Sequence, residues 1–159
     1  MGWVAFDLFA AQMPIEKINL RVYGLWIHAE KGLLLVDELI KGHPITKLPG
    51  GGLEPGEGIY DCLVREWSEE IGLPIRAAQH FYTTDYFQQS AYNPADQIVS
   101  VYYLVDSPGD APALAPMGEI QQFRWQNLER LRPEHVTLPI DRRALELYLN
   151  QRPIWPPMG

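Results

Sequence analysis

The sequence predicts an α+β domain, a mixed β-sheet held between helices. Strand-like segments precede and follow one strongly periodic helix, a second helix comes near the end, and no internal repeat interrupts that order. At 159 residues the chain has room for one domain of roughly 150 residues. Its 47% hydrophobic and 21% charged content is ordinary globular usage, neither disordered nor fibrous.

Residues 18–28 are rich in β-branched and aromatic side chains and read as a strand. The turn Ala29-Glu30-Lys31-Gly32 then returns the chain into Leu33–Val36 as an antiparallel hairpin. Gly42-His43-Pro44 reads as a loop, residues 45–48 as a short strand, and Pro49 to Gly52 as a hard break. Residues 58–71 have helical periodicity, closed by Gly72 and Pro74. Strands are expected over 79–88, 97–105 and 123–125, with a Pro/Ala-rich loop over 107–116. Asn127 is placed to cap a turn at 128–132, and 139–150 reads as a final helix with Ala144, Leu145, Tyr148 and Leu149 inward. The expected organisation is an extension over 1–17, a domain over 18–150 and a proline-rich tail over 151–159.

Thirteen Lys and Arg against twenty Asp and Glu leave a net charge of -7. That balance opposes a coat on a nucleic-acid polymer, which needs clustered cations, but a bound divalent cation can invert the local field for a single nucleotide. One cysteine, Cys62, excludes an internal disulfide framework and fits a reducing compartment. The apolar start lacks a cationic lead and is broken by Asp7, so it is not read as a secretory signal. No apolar run approaches the roughly 18 to 20 residues of a spanning helix. A soluble, cytoplasmic protein without membrane contact is expected.

On a wheel of residues 58–71, Ile59, Cys62, Leu63, Val64, Trp67 and Ile71 form one apolar arc, and Asp61, Arg65 and Ser68 oppose it. Glu66 and Glu70 break this order by projecting within the apolar side, and Glu69 borders it. The i, i+3, i+4 spacing makes the three carboxylates neighbours. Crowded carboxylates against a core face must neutralise or find a cation. Adjacent hard oxygen donors suit Mg²⁺ or Mn²⁺, and surface ion pairs with Arg65, Lys47 or Arg76 are the alternative. The preceding loop, Gly50 to Gly58, brings bare backbone to the helix start, where N–H groups favour anions. Gly51 and Gly56 have Walker-loop spacing, but Glu57 and Gly58 stand where Lys and Ser or Thr are required, which excludes a P-loop.

Gly51, Glu57, Arg65, Glu66, Glu69, Glu70, Gly72 and Leu73 are similar in type and spacing to the Nudix box: Gly, five residues, Glu, seven residues, Arg-Glu-apolar-x-Glu-Glu-x-Gly-apolar. The box covers 23 residues, Gly51 to Leu73. Trp67 departs from the family's usual aliphatic residue, a matter of core packing. The resemblance implies an α/β/α sandwich and a Mg²⁺-dependent hydrolase, with Mn²⁺ as substitute, of nucleoside diphosphates linked to another group. It implies Glu66, Glu69 and Glu70 as metal ligands, with Glu66 also polarising water and Arg65 orienting it. It makes the Gly51 carbonyl a further ligand and Glu57 an outer metal contact or a loop brace. It also implies a further carboxylate, as base or ligand, near Glu119, against the plain reading of a solvated loop residue.

Gly50, Gly51 and Gly52 are the backbone candidates for substrate phosphates, and Arg21, Lys47, Arg76 and Arg124 the cationic ones, each weighed against an ordinary surface charge. Tyr82, Tyr86, Phe87 and Tyr92 could stack a base, although strand aromatics more often fill a core. Trp125 and Cys62 are read as core, and His28 and His43 have no assigned role. The substrate is expected to be a nucleotide sugar, a dinucleoside polyphosphate or a (d)NTP, releasing a nucleoside monophosphate. A catalytically silent nucleotide-binding sensor of the same fold is the alternative, opposed by the complete set of carboxylates. The apolar Trp3–Phe6 and Ile154–Trp155 would cover either a second copy of the chain or the domain itself.

Overall fold

The computed structural model describes residues 14–111, 118 and 120–157. Glu119, the segment Trp3–Phe6 and residues 112–116 of the predicted loop lie outside the described residues. The elements are β1 (Lys17–His28), β2 (Gly32–Ile40), β3 (His43–Lys47), β4 (Gly50–Gly52), α1 (Ile59–Glu70), β5 (Ala77–Thr83), β6 (Asp96–Asp106), β7 (Ile120–Gln126) and α2 (Pro139–Gln151). The main path of the sheet runs β3-β2-β1-β6-β5, with β4 added to β1 and β7 to β2. The β1–β2 hairpin turns at Gly32, where a Cβ would lie 1.9 Å from the Gln126 carbonyl oxygen. Its φ of 104° is open to glycine. β1 and β6 are parallel neighbours from Lys17↔Asp96 to Trp26↔Val105, which makes the sheet mixed as expected.

The glycine run is not only a break. Gly50–Gly52 pairs antiparallel with Arg21–Tyr23 as β4. A Cβ on Gly50 would stand 2.1 Å from the Val22 carbonyl oxygen, so only bare backbone reaches this close. β5 ends at Thr83 rather than 88, with a register shift between His80 and Tyr82. Asn127 does cap the following turn, its side-chain oxygen accepting from the backbone N–H of Glu129 and Arg130.

Each helix covers one face of the sheet, an α/β/α sandwich. On one side Cys62, Leu63 and Trp67 of α1, with Ile71 at its C-terminal cap, pack with Val22, Trp26, Leu34 and Val105. On the other, Ala144, Leu145 and Tyr148 of α2 pack with Tyr23, Leu25, Leu35, Tyr102 and Leu104. The buried arc of α1 is narrower than the wheel suggests, since Ile59 and Val64 remain partly exposed. Trp67 has its space reserved: a Cβ on Gly24 would meet its ring at 2.5 Å. Its indole N–H donates to Ser107 Oγ at 3.3 Å, and that hydroxyl donates to the Pro74 carbonyl. Trp125 is half-buried, edge-on to Trp26 at 5.0 Å.

Candidate active site

β4 and the first two turns of α1 meet at Arg65. Its guanidinium donates to both Glu57 oxygens, at 2.7 and 3.0 Å, and to the Gly52 carbonyl at 3.0 Å. Its Nη1 donates to Glu66 Oε1 at 3.0 Å and to Glu69 Oε2 at 3.2 Å. One cation therefore ties the glycine-rich loop to two helix carboxylates. The Arg65 hydrogen bonds, with the Glu54 N–H, hold the Glu57 carboxyl down at about 2. Glu57 thus joins Arg65 to the backbone of the loop at Glu54.

The Glu66 carboxylate lies against the backbone of Gly51, where an added Cβ would meet Oε1 at 2.4 Å. Glu70 turns the other way, accepting from the Gly50 N–H at 3.0 Å and from Lys47 Nζ at 3.4 Å. Burial pushes its carboxyl up to about 7, against the pull of Lys47. The Glu66 and Glu70 side chains are only 14% and 13% exposed, as the wheel predicts, while Glu69 is 59% exposed. Among the described residues no three acidic, His or Cys side chains converge as a ligand cluster. The carboxylates repel, so each leans on the nearest cation, Arg65 or Lys47. The donor set nonetheless fits a hard divalent cation: three carboxylates on one helix edge, with Glu66 seated on the glycine that carries the candidate carbonyl.

Lys47 is a buried structural cation as well as a wall of the adjoining cavity. Its Nζ donates to the Gly50 carbonyl at 2.9 Å, bridges Glu38 at 3.3 Å and Glu70 at 3.4 Å, and lies 5.5 Å from the Tyr23 ring centre. Burial disfavours its charge, but Glu70, Tyr23 and Glu38 together hold its pKa above the ordinary lysine value. The cavity of about 340 Å³ next to it is lined in part by Arg21, Glu38, Lys47, Gln88, Tyr92 and Ser100. Arg21 donates from Nε to the Tyr23 hydroxyl at 2.6 Å. Tyr86 is 39% exposed and does not line this cavity, whereas Tyr92 does. Tyr82 stacks on Tyr102 with ring centres 6.1 Å apart. Arg76 pairs with Asp106 and Arg124 with Asp37, and neither arginine lines the cavity. Cys62 is fully buried, and burial pushes its thiol up to about 12, so it is not a nucleophile.

Three polar residues here escape sequence reading. Glu38 follows Asp37 towards the end of a strand, Ser100 sits in a β-rich run, and Asp141 at a helix start where aspartate is commonplace. Asp141 is 1% exposed and accepts from the Tyr102 hydroxyl at 2.8 Å. Burial raises its carboxyl from 3.8 to about 6. The folded state thus holds this proton more tightly than the unfolded chain. The cost of ionising it is absent below about pH 4 and complete above about pH 6, amounting to roughly 3 kcal/mol. Asp141→Asn keeps an oxygen for Tyr102, so its melting temperature should exceed wild type at pH 8 and lose that advantage near pH 4. A difference that does not change with pH would contradict this.

Comparisons with known proteins agree with the geometry. The family model described as NUDIX domain matches residues 18–148. The chain is 28% identical over 148 residues to a protein named ADP-ribose pyrophosphatase from Methanocaldococcus jannaschii, covering 82% of this chain and 85% of that protein. It is 27% identical over 122 residues to the NAD-capped RNA hydrolase NudC of Stutzerimonas stutzeri, spanning 73% of this chain but 41% of that protein. Among solved structures, a hydrolase of the same fold from Nitrosomonas europaea superposes with a TM-score of 0.67 at 22% identity, over 82% of this chain and 87% of that one.

Proposed function

The chain belongs to the Nudix family and is a hydrolase of phosphoric anhydride bonds, and on that premise we propose that it is a Mg²⁺-dependent pyrophosphohydrolase of a nucleoside diphosphate linked to another group, releasing a nucleoside monophosphate. The observation that carries this reading is the Glu66 carboxylate on Gly51, beside a cavity walled by Arg21 and Lys47. A nucleotide sugar of the ADP-ribose kind is the favoured substrate, supported by the M. jannaschii relative of similar length.

Glu66, Glu69 and Glu70, with the Gly51 carbonyl, would hold the divalent cation that Nudix hydrolases generally use. When bound, it supplies neutralisation of the diphosphate and a lowered pKa for bound water. Arg65 holds Glu66 and Glu69 in place and ties both to the loop through Glu57 and Gly52. The bare backbone of β4 lets phosphate oxygens approach without a side-chain clash. Arg21 presents a guanidinium to the cavity, its orientation fixed by Tyr23. The intact acidic set supports an enzyme rather than a sensor. A domain over 18–150 is part of the same proposal, as is Glu119 as a further carboxylate. Among the described residues no helix is long and apolar enough to cross a membrane.

The test is nucleoside monophosphate release from ADP-sugars, dinucleoside polyphosphates and (d)NTPs, with Mg²⁺ titrated. Turnover should require the metal and favour one class. Millimolar Mg²⁺ should also raise the melting temperature of metal-free protein, by the equivalent of about 2.7 kcal/mol at a hundredfold excess over Kd. A panel without metal-dependent turnover would defeat the reading.

A further inference from the structure

The cavity beside Lys47 sets one carboxylate among its cations. Glu38, Arg21 and Lys47 all line it. Lys47 Nζ donates to the Gly50 carbonyl at 2.9 Å, Arg21 is the register partner of Gly52, and Glu38 lies 3.3 Å from Lys47 Nζ. Among the described residues Lys47 is the only partner of the Glu38 carboxylate, through Oε1. The second oxygen is not sealed in, since the buried side-chain atoms without a partner are Ser100 Oγ, Asp141 Oδ2 and Trp155 Nε1. With 9% of the Glu38 side chain exposed, the surface it keeps is that of the cavity. Tyr92, another lining residue, registers the charge: burial raises its phenol above the ordinary value and Glu38 raises it further. Lys47 does not require this second carboxylate, because Glu70 and the Gly50 carbonyl already pair it. Two carboxylates on one ammonium leave a net negative charge withdrawn from water, which costs stability.

An ionised carboxylate only accepts, so whatever meets the open oxygen of Glu38 must donate. Phosphate oxygens cannot. The donors of a nucleotide are the hydroxyls of its ribose and the N–H groups of its base, and the ribose is the part joined directly to the phosphates. Glu38 is one ammonium away from the glycine strand on which the diphosphate would lie, so the ribose is the donor nearest to it. Ile40, Ile98 and Ile140 line the same cavity and suit the faces of a base better than a hydroxyl. We propose that Glu38 accepts hydrogen bonds from the ribose hydroxyls of the substrate, making it a specificity-determining residue that selects ribonucleotides over 2′-deoxyribonucleotides. This rests on the nucleotide reading above and deepens it, by setting deoxynucleoside triphosphates apart from the other substrate classes. The vicinal hydroxyls of ribose offer two donors to one carboxylate. A 2′-deoxyribose offers one, and leaves a charged acceptor in a poorly solvated cavity short of a partner.

The test is calorimetric titration of ADP, GDP and their 2′-deoxy forms into the whole protein in EDTA, so that binding is read without turnover. The better ribonucleotide should bind at least about tenfold more tightly than its deoxy form, the factor that follows from one hydrogen bond to a charged group. Glu38→Gln, which removes the charge and keeps the volume, should bring that ratio below about threefold. It should retain a cooperative melt, because Lys47 keeps Glu70 as its partner. Glu38→Asp keeps the charge but withdraws it by one methylene, should narrow the ratio as well, and guards against a folding defect in the first variant. Equal affinities for the two sugars in the wild type, an unchanged ratio in folded Glu38→Gln, or no binding of any diphosphate would overturn the proposal. IDP serves as the control for the base: a change in the ADP-to-IDP ratio in Glu38→Gln, with the sugar ratio intact, would assign Glu38 to the base and overturn it too. Loss of the hydrolase reading looks different: the sugar ratio would persist while the Mg²⁺-supplemented panel stays silent.

Discussion

Glu66→Gln lowers kcat by about two to four orders of magnitude, the range expected when a positioned acid–base group is lost, with little change in melting temperature. The isostere keeps an oxygen for Arg65 Nη1 and the same packing on Gly51. It removes the negative charge that would hold a cation or polarise water. Gly51→Ala should reach a similar loss by another route. Its Cβ would stand 2.4 Å from Glu66 Oε1, so the carboxylate must leave its seat while its charge survives. Steady-state kinetics on the preferred substrate, with thermal melts of both variants, checks this pair. Turnover within tenfold of wild type in folded Glu66→Gln would remove Glu66 from the catalytic group.

Lys47→Met is expected to destabilise the fold by about 3–5 kcal/mol, the cost of breaking a buried ion pair by removing one partner. Lys47 is the cation that Glu38 and Glu70 share, at 3.3 and 3.4 Å, and all three side chains are largely withdrawn from water. Methionine fills the volume of the stem but leaves both carboxylates facing each other in a poorly solvated space. The Gly50 carbonyl also loses its ammonium donor. Urea denaturation measures the loss. Lys47→Met combined with Glu38→Gln should recover part of it, because the two sites are in contact and not additive. A midpoint shift worth less than 1 kcal/mol would mean that the two carboxylates do not depend on Lys47.

The box is legible in sequence because it is local. Glu66, Glu69 and Glu70 are neighbours through helix pitch alone, and Glu57 lies one loop away from Arg65, so spacing carries the geometry. Trp67, which departs from the family's usual residue, is explained only by a cavity opened at Gly24 on another element. The strand character of Gly50–Gly52 was equally hidden: glycines read as punctuation until β1 supplies a partner with which only bare backbone can pair. Tyr86 and Tyr92 look alike in sequence, but only Tyr92 lines the cavity, since the loop path between β5 and β6 decides the matter.

By itself the sequence determined the helix that carries the acidic set, the glycine loop that leads into it, the mixed α+β architecture and the family. Each depends on periodicity or fixed spacing within a short stretch of chain. Tertiary structure alone decided how the charges are shared: Arg65 between Glu57, Glu66 and Glu69, and Lys47 between Glu38 and Glu70. It alone brought Asp141 of the last helix to Tyr102 of β6. Burial and pairing are properties of surfaces brought together from distant parts of the chain, and no local pattern encodes which charge will lose its water or which cation will be near when it does.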